Sequence, residues 1–210
     1  MIKKWYIVIT IIFVILIGIS LVGPVMSQVE NPEYQVISAN ENIEIRRYKP
    51  MIIAETAVAG ERGDSIGEGF KLLADYIFGN NTVNTKIAMT APVQQESSRK
   101  IAMTAPVQQQ ASDKDWKVSF VMPAKYSMSD LPKPNNEKVK LKQVPAKEFI
   151  VIKFSGSNCD ENVAEHEKQL MQYVIEHQIK TTSTPKYAFY NPPWTLPMLR
   201  RNEIMLELAQ

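Results

Sequence analysis

IEIRRYKPMIIAETAVAG at residues 43–60 and VKLKQVPAKEFIVIKFSG at residues 139–156 are the stretches on which the fold turns. Laid over one another at a spacing of 96, Ile43 meets Val139, Ile45 meets Leu141, Tyr48 meets Val144, Ile53 meets Phe149, Val58 meets Phe154 and Gly60 meets Gly156. In the first copy, β-branched segments broken at Tyr48-Lys49-Pro50 read as two strands joined by a tight connection, a hairpin. The second copy reads as strands over 139–144 and 148–154.

A helix follows each pair of strands. Ser65 with Glu68 fits a capping box, and Phe70, Leu73 and Ile77 recur at helical spacing up to Gly79, which predicts a helix over about 65–78. Its counterpart spans about 162–177, with Leu73 matching Leu170 and Ile77 matching Val174 at a spacing of 97. Segments 86–93, 100–107 and 116–122 in the first half, and 186–190 and 204–208 in the second, read as further strands. At a spacing of 100, Lys86, Ala88, Met89 and Pro92 meet Lys186, Ala188, Phe189 and Pro192. The Pro-rich stretch 123–134 separates the halves.

A duplicated ββαβ unit implies two half-sheets about a pseudo-twofold axis, closing into a distorted antiparallel barrel or sandwich with one helix from each half outside it. The class is α+β. Nested within is a tighter repeat, KIAMTAPVQQ at 86–95 returning unchanged at 100–109. It reads either as two adjacent antiparallel strands with Glu96–Arg99 at the turn, or as a local duplication that lengthens a loop.

The N-terminus is of a different character. Lys3 and Lys4 precede a charge-free run from Trp5 to Val22, close to the length that crosses a bilayer. With Glu30 and Glu33 after it, the positive-inside bias places the N-terminus in the cytoplasm and the body outside, periplasmic or extracellular. The reading is a membrane anchor or signal segment at 1–27, a tether at 28–33 and one domain at 34–210; cleavage near Val25 and Ser27 would make the domain secreted. Without Lys3 and Lys4, 22 basic residues balance 22 acidic ones, so nothing attracts nucleic acid. Cys159 is the only cysteine, which excludes an internal disulfide and a cysteine-based metal cluster.

Three stretches resemble the SOUL haem-binding family: KIAMTAPV at 86–93, WKVSFVMP at 116–123 with LPKP at 131–134, and YNPPWTLPMLRRNEIMLEL at 190–208. The resemblance spans roughly residues 33–208. It implies a pseudo-symmetric eight-stranded barrel with two helices, and non-covalent binding of haem or another tetrapyrrole without turnover. It also places the groove along the first helix, on a stripe of Gly67, Phe70, Lys71 and Ala74, where Phe70 lies against the ring and Lys71 pairs with a propionate. Amphipathicity alone puts Phe70 with Leu73 and Ile77 on the core face, so both readings stand.

His166 is a candidate axial ligand. His177, eleven residues on, shares its helix face but lies about 16 Å away by helical rise, so the two do not share one iron. Cys159, Met89 and Met103 are formal alternatives. No Ser/His/Asp arrangement, HExxH, Gly-rich phosphate loop or paired carboxylate motif is visible, so the sequence predicts no enzyme and no catalytic or metal residues. Arg200 and Arg201 are expected to brace the loop at Pro192, Pro193 and Pro197 against a carboxylate or carbonyls. The principal expectation is a tetrapyrrole carrier or buffer tethered at the outer face of a membrane. The alternative is a protein-interaction or small-ligand sensing module, its contact surface an exposed cluster of Tyr187, Phe189, Tyr190 and Trp194, with no protein partner specified.

Overall fold

The duplication is written in the strand order. A computed structural model describes residues 29–83, 98–112, 115–182 and 184–209, and every statement of structure below concerns these. The elements are β1 (Tyr34–Asn40), β2 (Ile43–Tyr48), β3 (Met51–Ala59), α1 (Arg62–Phe78), β4 (Asn81–Thr82), β5 (Val107–Ser112), β6 (Asp115–Val121), β7 (Lys133–Pro134), β8 (Lys140–Val144), β9 (Lys147–Phe154), α2 (Asp160–Glu176), β10 (Lys186–Phe189) and β11 (Asn202–Glu207). Nine strands form one curled antiparallel sheet in the order β1-β2-β9-β11-β10-β5-β6-β3-β8, and β4 pairs with β7 apart from it. Without β1, the order reads the same from either end once the halves are exchanged, β2 for β8, β3 for β9, β5 for β10 and β6 for β11. The pseudo-twofold axis therefore passes between β5 and β10. The expected α+β fold of duplicated halves with two helices is the one observed; β1, at the sheet edge, was not among the predicted strands.

The hairpin expectation is overturned. β2 pairs with β1 and β9, while β3 pairs with β6 and β8, so strands adjacent in sequence go to opposite halves. The physical reason lies in the cores. Ile43 of β2 is buried in the second-half cluster with Ile150, Phe154, Leu170 and Ile204, whereas Val139 is buried in the first-half cluster with Leu73, Ile77 and Phe120. Each core is completed by apolar side chains from the other half, and Pro50 and Pro145 interrupt the ladder at the two connections.

Period-two alternation separates the faces of the sheet. In β6, Val118 and Phe120 lie under α1 while Lys117 and Ser119 point to the opposite, concave face. Gln109 belongs to the helix side, where its amide donates to the Arg62 carbonyl and to Ser65 Oγ at 2.8 and 2.9 Å. That contact explains why helix prediction began late: α1 starts at Arg62 with Glu61 as N-cap and no side-chain cap, and Ser65, buried, serves Gln109 instead of a capping box. Gly79 closes the helix at φ 128°, a left-handed position suited to glycine. α1 approaches β6 so closely at Gly69 that a Cβ there would meet Val118 Cβ and Cγ2 at 2.5 Å. Arg62 links the helix starts, its guanidinium 2.5 Å from Asp160 at the first turn of α2 and 2.6 Å from the Asn158 carbonyl.

The tandem repeat divides unevenly. Its first copy, with the Lys86–Pro92 match at a spacing of 100, and the 1–27 segment lie outside the described residues. In the second copy the expected strand over 100–107 is absent, and strand structure begins only at Val107. Ile101 drops into the first core and donates its N–H to the Ile77 carbonyl at 2.8 Å. Thr104 makes a single bridge to Glu30 and its hydroxyl donates to the Val121 carbonyl. Isolated backbone bonds and side-chain burial hold this segment in place of ladder pairing.

Candidate functional site

α1 presents one stripe that neither core absorbs. Gly63, Gly67, Phe70, Lys71, Ala74 and Phe78 fall within an arc of about 100° at 3.6 residues per turn. Phe78 is 57% exposed and Phe70 36% exposed, and above Gly63 and Gly67 no atom lies within 4 Å of where a Cβ would stand. The Phe70 ring packs edge-on against Phe120 at 5.4 Å while its outer face meets solvent. Lys71 and Gly67 are exposed. Ala74 departs from the expected exposed stripe, because at 9% exposure it is buried. Gly63 and Phe78 were missed by sequence reasoning, although the spacing 70, 74, 78 carries the signal for Phe78.

The stripe fits a porphyrin ring better than it fits iron. It supplies apolar surface, an exposed aromatic face and an exposed ammonium, but no imidazole or thiolate. His166 stands on α2 with its ring stacked on Phe154 at 4.1 Å and Nδ1 2.7 Å from the Asn162 carbonyl, so Nε2 is its remaining nitrogen. His177, beyond α2, stacks on Tyr173 with Nδ1 2.9 Å from the Tyr173 carbonyl. Cys159 is exposed and accepts from Ser157 Oγ. Met103 packs beside the first core, which fills space rather than presenting sulfur; Met89 lies outside the described residues. Among the described residues no group of three His, Cys, Asp or Glu side chains is placed to hold a metal ion, and no helix is long and apolar enough to cross a membrane.

A buried polar cluster lies on the concave face. Glu203, 0% exposed, takes hydrogen bonds from Tyr190 Oη at 2.7 Å, Arg46 at 3.0 Å and Arg201 at 2.7 Å. Arg46 also reaches Glu44 at 2.7 Å and Tyr48 Oη at 3.1 Å, and lies over the Tyr34 ring. Two carboxylates thus balance two guanidiniums in a site too dry to leave either sign alone. Burial, reinforced by the Glu203 charge, pushes the Tyr48 phenol up to about 12 and the Tyr190 phenol well above its usual value. Tyr187, Phe189 and Tyr190, expected as part of an exposed aromatic cluster, are buried in the cores, and only Trp194, 61% exposed, remains at the surface. Arg200 does brace the proline loop, donating to the carbonyls of Pro193 and Thr195 at 2.5 and 2.7 Å. Arg201 turns to the Glu203 carboxylate instead.

A cavity of about 810 Å³ opens at the ends of β3 and β6, floored by Met51, Ile52 and Met122 and walled by Pro32 and Tyr126. No sequence motif announced it, because its wall is assembled from the tether and the loop after β6.

No curated protein matches this chain. Among solved structures, the C-terminal domain of EcmrR superposes with a TM-score of 0.56 at 11% identity, covering 84% of this chain and 98% of that one. A structure described as a hydrolase from Listeria innocua gives 0.55 at 11% identity, covering 82% and 94%. Likeness at this identity establishes the duplicated fold alone. The family model described as SOUL heme-binding protein matches residues 29–207, nearly the whole of the described body. The chain belongs to the SOUL haem-binding protein family.

Proposed function

We propose that this protein binds haem or a related tetrapyrrole on the exposed stripe of α1, as a non-enzymatic carrier or buffer held at the outer face of a membrane by its N-terminal segment. The observation that carries the site is the pairing of exposed aromatic rings, Phe70 and Phe78, with open space above Gly63 and Gly67 on the same side of one helix. A flat apolar disc needs such a surface, since side chains at the glycine positions would hold it off the helix. Phe70 contributes the ring contact and Lys71 the cation for a propionate. Bound haem would supply redox and ligand-binding chemistry through its iron; the chain's part is to bind and orient the macrocycle. Family membership supports the ligand class, and the lysine-flanked apolar run at 5–22 supports the tether.

Haemin titrated into the full-length chain in detergent should give a saturable Soret shift at micromolar concentration. Phe70→Ala and Lys71→Ala should each weaken it about tenfold, the scale of one lost ring contact or charged hydrogen bond. Absence of a saturable shift refutes the ligand. Loss with Met51→Ala, and none with Phe70→Ala, moves the ligand to the cavity at the ends of β3 and β6. Protease protection of the domain in sealed vesicles tests the topology: a domain digested from the cytoplasmic side would overturn it.

A further inference from the structure

The concave face carries a second feature, where the two halves meet. A cavity of about 190 Å³ is lined from seven of the duplicated strands, and four of its lining side chains are lysines: Lys117 of β6, Lys142 of β8, Lys147 of β9 and Lys186 of β10. Only Glu55 and Glu207 oppose them, leaving two positive charges in excess. Glu207 is engaged with the Lys147 ammonium at 2.6 and 2.8 Å. Among the described residues Lys117, Lys142 and Lys186 form no ion pair within 4.0 Å. The remaining polar wall is made of amides and a hydroxyl, Gln108, Gln110 and Ser119.

Sheet geometry makes this convergence a product of the fold. Lys186 faces Gln110 across the β5–β10 ladder, the pair through which the pseudo-twofold axis runs, and Gln110 faces Lys117 across β5–β6. Three neighbouring strands therefore place Lys186, Gln110 and Lys117 in a row. Lys142 faces Ile53 on β3, two residues from Glu55. Lys147 arrives from the far side on β9. Lys186 is the most enclosed: its ammonium sits 5.3 Å from the Phe149 ring centre, and burial, with Lys147 and Lys142 nearby, holds its pKa below the usual lysine value despite Glu207 and Glu55. An amine in this position has shed water without gaining a carboxylate of its own.

We propose that this cleft on the pseudo-twofold axis is a binding site for a small multivalent oxyanion, a di- or tricarboxylate or a phosphate ester, held by Lys186, Lys142 and Lys117 with Gln108 and Ser119 completing its hydrogen bonds. The cavity has room for a compact molecule of several heavy atoms and none for a macrocycle, so the site is separate from the α1 stripe. A bound oxyanion relieves the repulsion among the amines and replaces the water that burial removed. A neutral ligand does neither.

The test uses the full-length chain in detergent, titrated with citrate and, separately, inorganic phosphate, at ionic strength held constant with sodium chloride. Saturable heat by calorimetry with a matching rise in melting temperature is expected. Lys186→Gln and Lys142→Gln should each weaken the affinity about tenfold, while Lys168→Gln, on the outer side of α2, leaves it unchanged. A citrate response without a phosphate response assigns carboxylates, and the reverse assigns phosphates. If neither anion differs from chloride at matched ionic strength, or if Lys168→Gln weakens binding as much as Lys186→Gln, the proposal is overturned. Should a cleft variant unfold, Ser119→Ala provides the same comparison without altering charge. Haemin titration of the same samples keeps the outcomes apart, because loss of citrate binding with the Soret shift intact bears on the cleft alone.

Discussion

Two glycines two residues apart, on opposite sides of α1, should respond to the same substitution with opposite signs. At Gly69 an added Cβ would stand 2.5 Å from both Val118 Cβ and Cγ2, and 3.0 Å from Cγ1. Carbon pairs are comfortable at roughly 3.5–4.0 Å, so the overlap is about 1 Å. Rotating Val118 clears a Cγ but never the Cβ, which is fixed to the strand backbone, so α1 must move off β6. Overpacking of this kind costs roughly 1–3 kcal/mol, offset by about 1 kcal/mol of improved helix propensity. Gly69→Ala should therefore lose up to about 2 kcal/mol net, a melting temperature lower by up to roughly 4–8 °C for a body of this size. At Gly67 nothing lies within 4 Å, and only the propensity gain remains, so Gly67→Ala should gain about 0.5–1 kcal/mol. Urea denaturation with matched m-values measures both. The double change Gly69→Ala with Val118→Ala should recover only part of the loss, because the Cβ overlap survives. Equal stabilisation by Ala at both positions would refute the close approach of α1 to β6. Haemin titration of Gly67→Ala gives an independent reading, since the change that stabilises the helix should weaken tetrapyrrole binding.

Further outcomes follow from the buried groups. Glu203→Gln should destabilise by about 3 kcal/mol, because Arg46 stays buried with its partner neutralised and only Glu44 beside it; a midpoint shift under 1 kcal/mol in urea would contradict this. Replacing Arg46 and Glu203 together by Met and Leu should recover much of that loss in the same assay, whereas additive losses would show that the pair is not coupled. Alkaline unfolding has a defined sign. Burial raises the Tyr48 and Tyr76 phenols to about 12, so the unfolded chain releases these protons first; the stability concerned is whole below about pH 10 and is lost as pH rises toward 12. Each contributes up to about 2–3 kcal/mol, and Tyr48→Phe should flatten the decline in urea midpoint between pH 9.5 and 11.5. An unchanged slope would count against it.

The fold was legible where periodicity and repetition agreed. Leu73 with Leu170 and Ile77 with Val174 were paired by spacing and prove to be the buried anchors of the two helices. Strand identity was equally plain over 43–48 and 148–154, yet strand partnership was not. Alternation says which side of a strand is apolar, but not which core receives it, so Ile43 gave no sign that it belongs under α2. Residues 100–106 misled for a related reason: Ile101 and Met103 alternate as in a strand, while the segment is held by side-chain burial, isolated backbone bonds and a single bridge. On the proposed stripe, Phe70 and Lys71 were named through resemblance and helical spacing, and both are exposed on α1. The concave face was invisible, since Glu203, Arg46 and Lys186 look like ordinary solvated charges until the ladders bring them together.

The exchange of β2 and β8 between halves has a consequence for autonomy and descent. A first half cut free after Val121 would keep β3 with no β8 beside it and a β2 paired with β1 alone, its β9 edge open, and each deficit is what a second copy offers. Two such fragments satisfy one another edge for edge, giving a symmetric dimer with the connectivity of the present single chain. The linker over 123–134 then serves to make that partnership permanent, and no intermediate in which one half stands alone retains a complete interior.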